Sequence, residues 1–100
     1  MALSLSKNVN GEKLVIALTG RLDTTTAPQL EAEIKNSADG MSELVLNFKA
    51  LDYISSAGLR VLLAAQKRMA KQGKLVITDV SEDIMEVFDI TGFTDILTIE

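Results

Sequence analysis

The chain has 100 residues, 47% hydrophobic and 24% charged, with a formal net charge of −4; this is one globular domain, spanning 1–100, and its acidic balance argues against phosphate-backbone binding. There is no cysteine and no histidine, which removes disulfides, thiolate chemistry, the commonest zinc ligand and the usual general base near neutral pH. No cofactor or metal is expected, an enzyme is disfavoured, and the start MALSLSKNVN has neither a basic leader followed by an apolar run nor any bilayer-length apolar stretch after it, so a cytoplasmic protein without nucleic-acid or membrane partners is expected.

Leu3 and Leu5 alternate with small polar residues, as in an edge strand. Asn10-Gly11 reads as the hairpin turn. Lys13 to Thr19 (KLVIALT) is apolar on both faces and predicts an interior strand. Gly20 to Thr25 form a loop, and a helix starts near Thr25 or Thr26 with Pro28 in its first turn. Its buried stripe is Ala27, Leu30 and Ile34, with Glu31 and Lys35 paired on the other side. Glu43 to Phe48 is the third strand, Lys49 to Ser55 a loop, and a second helix runs to about Lys71. Leu59, Leu62, Leu63 and Met69 are its apolar face, and Gly73 ends it as a C′ glycine. Lys74 to Thr78 is the fourth strand. Ser81 caps a third helix with Glu82 and Asp83 near its positive end; Ile84, Val87 and Phe88 face inward and Gly92 closes it. Ile96 to Ile99 is a last short strand.

The pattern predicts an α/β domain: a mixed, mostly parallel sheet with an N-terminal β-hairpin and three to four helices, joined by right-handed crossovers. Apolar runs on both strand faces favour cover on both sides, with an all-on-one-side arrangement as the alternative. The loops after parallel strands share one sheet edge, where α/β domains place their sites. That edge would gather Asp23, Ser55, Ser56 and Asp79.

The informative stretch is Leu51 to Leu63, LDYISSAGLRVLL. Ser55, Ser56, Ala57 and Gly58 are small and stand where the second helix begins. A helix start offers unpaired backbone N–H groups and partial positive charge, so a phosphate there is stabilised, and small neighbours let another protein's active site reach the hydroxyl. The plain alternative is that one serine is only an N-cap. Against it, neither serine has Glu or Gln three residues on, and Gly58 in the first turn costs about 1 kcal/mol relative to alanine.

Three segments, GRLDTTTAPQLEAEI (Gly20 to Ile34), LDYISSAGLRVLL, and VFDITGFTDIL (Val87 to Leu97), resemble in order the first loop and helix, the phosphorylation loop and second helix, and the C-terminal signature of the STAS family, specifically the bacterial anti-sigma factor antagonists. The resemblance implies a regulatory binding protein. Its unphosphorylated form would bind an anti-sigma factor that is a serine kinase and so free a sigma factor. Phosphorylation would end the binding, and a metal-dependent serine phosphatase would reset it. By motif position Ser56 matches the phosphoacceptor, and Asp23 matches the acid of the first loop, near the acceptor. Many members carry Asp before the acceptor and Ser or Thr after it, whereas this chain has Ser55 and Ala57, which makes Ser55 a rival acceptor. The implied partner surface is Asp23, Thr24, Ser55, Ser56, Ala57, Gly58 and Arg60. The alternative within the family is an unphosphorylated scaffold subunit of a transporter or stress-sensing complex.

Other features read as ordinary. Arg60, Lys67, Arg68 and Lys71 give the second helix a solvated basic side, with Arg60 one turn from Ser56 and able to touch an acidic partner or a phosphate. Met85 and Ile90 fit the third helix's inward stripe poorly and form at most part of a docking surface. Ser4-Leu5-Ser6-Lys7 matches S-x-x-K on an edge strand, by chance. There is no phosphate-binding glycine loop and no calcium-loop spacing.

Overall fold

The computed structural model describes residues 3–100; Met1 and Ala2, part of the start read above, lie outside them. The strands are β1 (Leu3–Asn10), β2 (Lys13–Leu22), β3 (Glu43–Ile54), β4 (Lys74–Thr78) and β5 (Thr98–Ile99). The helices are α1 (Ala27–Ser37), α2 (Ser56–Ala70) and α3 (Glu82–Thr91), with a 3-10 turn at Phe93–Asp95. The sheet order is β1-β2-β3-β4-β5, antiparallel between β1 and β2 and parallel from β2 onward. This is the mixed, mostly parallel sheet with an N-terminal hairpin that the sequence predicts.

Successive parallel strands laid down in chain order by right-handed crossovers put every crossover helix on the same face. The core shows the result. Leu14, Ile16 and Leu18 of β2, Leu44, Leu46 and Phe48 of β3, and Leu75 and Ile77 of β4 form one buried cluster with Leu30 and Ile34 of α1, Leu62 and Met69 of α2, and Ile84 and Phe88 of α3. Each such side chain contributes about 1.5–3 kcal/mol by leaving water. The opposite face carries Val15, Val45 and Val76, which sit in register across β2, β3 and β4 and lie outside that cluster. Of the two arrangements left open by the sequence, one-sided cover is correct. Val45 and Val76 are buried although they lie outside that cluster.

Several boundaries differ from the sequence reading. The hairpin pairs Asn10 with Lys13, so its turn is Gly11-Glu12, one residue later than expected. The segment read as a loop, Lys49 to Ser55, is mostly strand: β3 continues to Ile54 and pairs Ala50, Leu51, Tyr53 and Ile54 with Thr19, Gly20, Arg21 and Leu22. Two register shifts interrupt this ribbon, at Ala17/Thr19 and Gly20/Arg21, and Gly20 takes φ 110°, which a side chain would oppose. Gly73 is not a left-handed C′ residue. Lys71 ends α2 in right-handed conformation, and a Cβ on Gly73 would lie 1.7 Å from the Ser42 carbonyl oxygen, so close approach of β4's start to the α1–β3 connection requires the glycine. Leu63 is only half-buried, and Val61 and Ala65 are buried instead. Val87 is half-buried, Met85 packs against the core, and Ile90 is 79% exposed. The last strand is Thr98–Ile99 alone, because Phe93–Asp95 is a 3-10 turn and Ile96 is exposed.

Candidate functional site

The β2–β3 ribbon ends in two loops, and both belong to the candidate site. Its last pair is Leu22 with Ile54, and the Ser55 N–H donates to the Leu22 carbonyl at 2.9 Å. That bond fastens the start of α2 to the end of β2, directly before Asp23.

The first loop is closed by its own side chains. Asp23 Oδ1 accepts from the Thr25 N–H at 3.0 Å, the Thr25 hydroxyl at 2.8 Å and the Thr26 N–H at 3.1 Å. Thr26 is 7% exposed; its hydroxyl donates to the Arg21 carbonyl at 2.7 Å and accepts from the Asp23 N–H at 2.8 Å. The Thr25 hydroxyl and the backbone N–H groups of Thr26 and Thr25 hold the Asp23 carboxyl below its ordinary value, against a smaller opposing effect of desolvation. Asp23 therefore stays ionised and shapes the turn that launches α1. Arg21 stands behind it, its Nε 3.8 Å from Asp23 Oδ2 and its guanidinium 4.1 Å from the centre of the Tyr53 ring.

The second loop separates the two serines. Ser55 is the N-cap of α2, with extended backbone at φ −101° and ψ 176°, and its hydroxyl accepts from the Gly58 N–H at 3.4 Å. It is half-buried. Ser56 is the first helical residue and is exposed, and its hydroxyl has no hydrogen-bond partner among the described residues. No acidic residue stands in the first turn of α2. The Gly58 position has a packing reason that the sequence reading lacked. A Cβ there would lie 2.8 Å from both Leu22 Cγ and Ile54 Cγ1, so only glycine lets the helix start settle on the end of the ribbon. Gly58 is buried beneath the surface that Ser56 and Arg60 present.

Asp23 and Thr24 thus come from the loop before α1, and Ser55, Ser56, Ala57, Gly58 and Arg60 from the cap and first turns of α2, and the ribbon holds the two segments together. Asp79 does not join them. β4 pairs only as far as Thr78 with Asn47, while β3 runs on from Phe48 to Ile54 before reaching Ser55. The expectation that three loops end level fails because β2 and β3 outrun β4. Asp79 is exposed in the left-handed region at φ 58°.

A feature not foreseen from the sequence is a groove between α1 and α2. Its wider part, about 520 Å³, lies between Thr24, Pro28 and Glu31 on one side and Ala57, Arg60 and Ala64 on the other. It narrows toward Lys35 and Arg68, and Arg68 pairs with Asp39. The signal for it was present: Ala57, Val61 and Ala64 recur at helical spacing beside the buried stripe and are too small to fill the space facing α1. Among the described residues there is no group of three or more acidic side chains placed to hold a metal, and no helix is long and apolar enough to cross a membrane.

Comparison with known proteins gives the same outline. The family described as STAS domain matches residues 4–100. A Bordetella bronchiseptica protein, the proposed anti-sigma factor antagonist BtrV, is 41% identical over 101 residues, covering 99% of this chain and 85% of its own length. The anti-sigma-B factor antagonist of Bacillus subtilis is 30% identical over 100 residues, covering 99% of this chain and 92% of its own. Among solved structures, the Bacillus cell fate determinant SpoIIAA in its phosphorylated form superposes with a TM-score of 0.75 at 23% identity, over 97% of this chain and 91% of that one, a likeness of fold.

Proposed function

The chain belongs to the STAS domain family, and from that premise we propose that it is an anti-sigma factor antagonist. In this reading the unmodified form binds an anti-sigma factor that is a serine kinase, and a sigma factor is freed. The bound kinase transfers the γ-phosphoryl group of ATP to Ser56. The serine oxygen forms the new P–O bond, the bond to the β,γ-bridging oxygen breaks, ADP leaves, and the kinase's own base takes the hydroxyl proton. The modified form then lets go, and a metal-dependent serine phosphatase restores the hydroxyl. This chain contributes no catalytic group to either step; it is a binding protein.

The observation that carries the reading is the contrast between adjacent hydroxyls: Ser55 is committed to the cap of α2, while Ser56 is exposed with nothing bound to its oxygen. A kinase must seat the acceptor oxygen in line with the phosphorus. Taking Ser55 would break a cap worth about 1 kcal/mol, and taking Ser56 breaks nothing. The positive end of α2 receives the anion without unfolding. The names of the relatives with 41% and 30% identity support the antagonist role.

The test is intact-mass and peptide-mapping analysis after incubation with the small ATP-binding kinase of the same cell and ATP. The expected result is one added phosphate at position 56, absent in Ser56→Ala and retained in Ser55→Ala. The unmodified chain should co-elute with the kinase and the phosphorylated chain should not. Stable kinase binding that is indifferent to phosphate, or no modification at all, would replace this reading with that of an unphosphorylated scaffold.

A further inference from the structure

Three arginines are present, and two are engaged within the molecule: Arg21 lies over Tyr53 beside Asp23, and Arg68 pairs with Asp39. Arg60 is exposed and has neither an ion pair nor a hydrogen bond among the described residues. It stands on the lip of the α1–α2 groove, across from Glu31.

Ser56 and Arg60 are four residues apart on one continuous helix, Ser56–Ala70. Residues at that spacing lie on the same face, with Cβ atoms about 5–6 Å apart, and the acid-before-base order is the favourable one. With a hydroxyl at position 56 the guanidinium makes no ion pair among the described residues, Glu31 across the groove included. With a phosphate it meets about −1.5 to −2 charges and oxygens suited to a two-pronged contact. The first turn of α2 holds no carboxylate that would already occupy Arg60.

We propose that Arg60 is the internal counter-ion of phosphorylated Ser56, and that this pairing draws Arg60 off the lip of the α1–α2 groove. The inference rests on the reading that Ser56 is phosphorylated, and it adds how the modification reaches beyond its own residue. The phosphate both places negative charge at the start of α2 and cancels the free cation at the mouth of the groove. A partner that uses Arg60 to seat a carboxylate then loses that contact as well.

The experiment installs phosphoserine at position 56 of the full chain by genetic encoding, so that no kinase is needed and failure of the kinase reading leaves the result intact. Phosphorus NMR then follows the phosphate's second ionisation in the otherwise wild-type chain, in Arg60→Gln and in Lys67→Gln. Lys67→Gln removes one positive charge about 16 Å from Ser56 along the same helix, roughly 10 Å further than Arg60. The expected result is an ionisation roughly half a pH unit lower with Arg60 present than in Arg60→Gln, and no change in Lys67→Gln. The Arg60 Nε–H resonance should also shift on phosphorylation. Equal ionisation in the wild-type and Arg60→Gln chains overturns the proposal, and so does an equal displacement in Lys67→Gln, which would mark a general charge effect.

Discussion

Helices α2 and α3 begin in the same way and differ in what they place after the cap. Ser55 and Ser81 are both extended N-caps, and their hydroxyls accept from the third helical N–H, of Gly58 at 3.4 Å and Ile84 at 3.3 Å. Their carbonyls accept the first helical bond from Leu59 at 2.9 Å and Met85 at 2.8 Å. After Ser81 come Glu82 and Asp83, so the positive end of α3 already has its negative charge. After Ser55 come Ser56 and Ala57, and α2 has no acid in its first turn. One helix start is electrostatically complete and the other is left vacant. The vacancy, more than the presence of a serine, marks α2 as the end that can accept an anion.

The comparison is broken hardest at the third helical position. There α2 has Gly58 pressed on Leu22 and Ile54, and α3 has Ile84 buried in the core. Ile84→Ala should leave a cavity and cost about 2–5 kcal/mol. Gly58→Ala should overpack, costing about 1–3 kcal/mol less the roughly 1 kcal/mol that alanine returns in helix propensity. Urea midpoints measure both, and a Gly58→Ala chain more stable than the wild type, showing the propensity gain with no overpacking, would mean that α2 does not need close contact with the ribbon. Next in size are the caps. Ser55→Ala and Ser81→Ala should each lose about 1 kcal/mol, and Ser55→Ala should do so while leaving the Ser56 hydroxyl in place. The smallest effect sharpens the contrast most: Ser56→Asp should raise stability by about 0.3–1 kcal/mol at low salt, while Glu82→Gln should lower it by a similar amount. Both changes should fade at high ionic strength, and opposite signs in paired thermal melts are the outcome that matters.

The helices and the interior strands were legible because their apolar residues repeat at the right period, as in Leu14-Ile16-Leu18 and Leu30-Ile34. The second half of β3 was not. Its buried residues, Leu51 and Ile54, are three apart, because the ribbon is bulged and pairs with β2 alone, so the alternation that betrays a strand is lost. Gly58 and Gly73 misled for a related reason: each is explained by an atom distant in sequence, Leu22 for one and Ser42 for the other. The site's two loops were visible as a motif. Which serine caps and which is free depends on where the helix begins to within one residue, the level at which sequence patterns are least informative. Grouping Asp79 with the site requires parallel strands to end level, and strand length is a tertiary property.

The bond from the Ser55 N–H to the Leu22 carbonyl ties the two loops to each other. A docking protein that grips the Asp23 turn finds the Ser56 hydroxyl already in place and loses little conformational freedom in recruiting it, so association entropy is spent once for both. On the proposed reading the same tie serves release, because a phosphate on the Ser56 oxygen would act on a surface whose two segments are already joined.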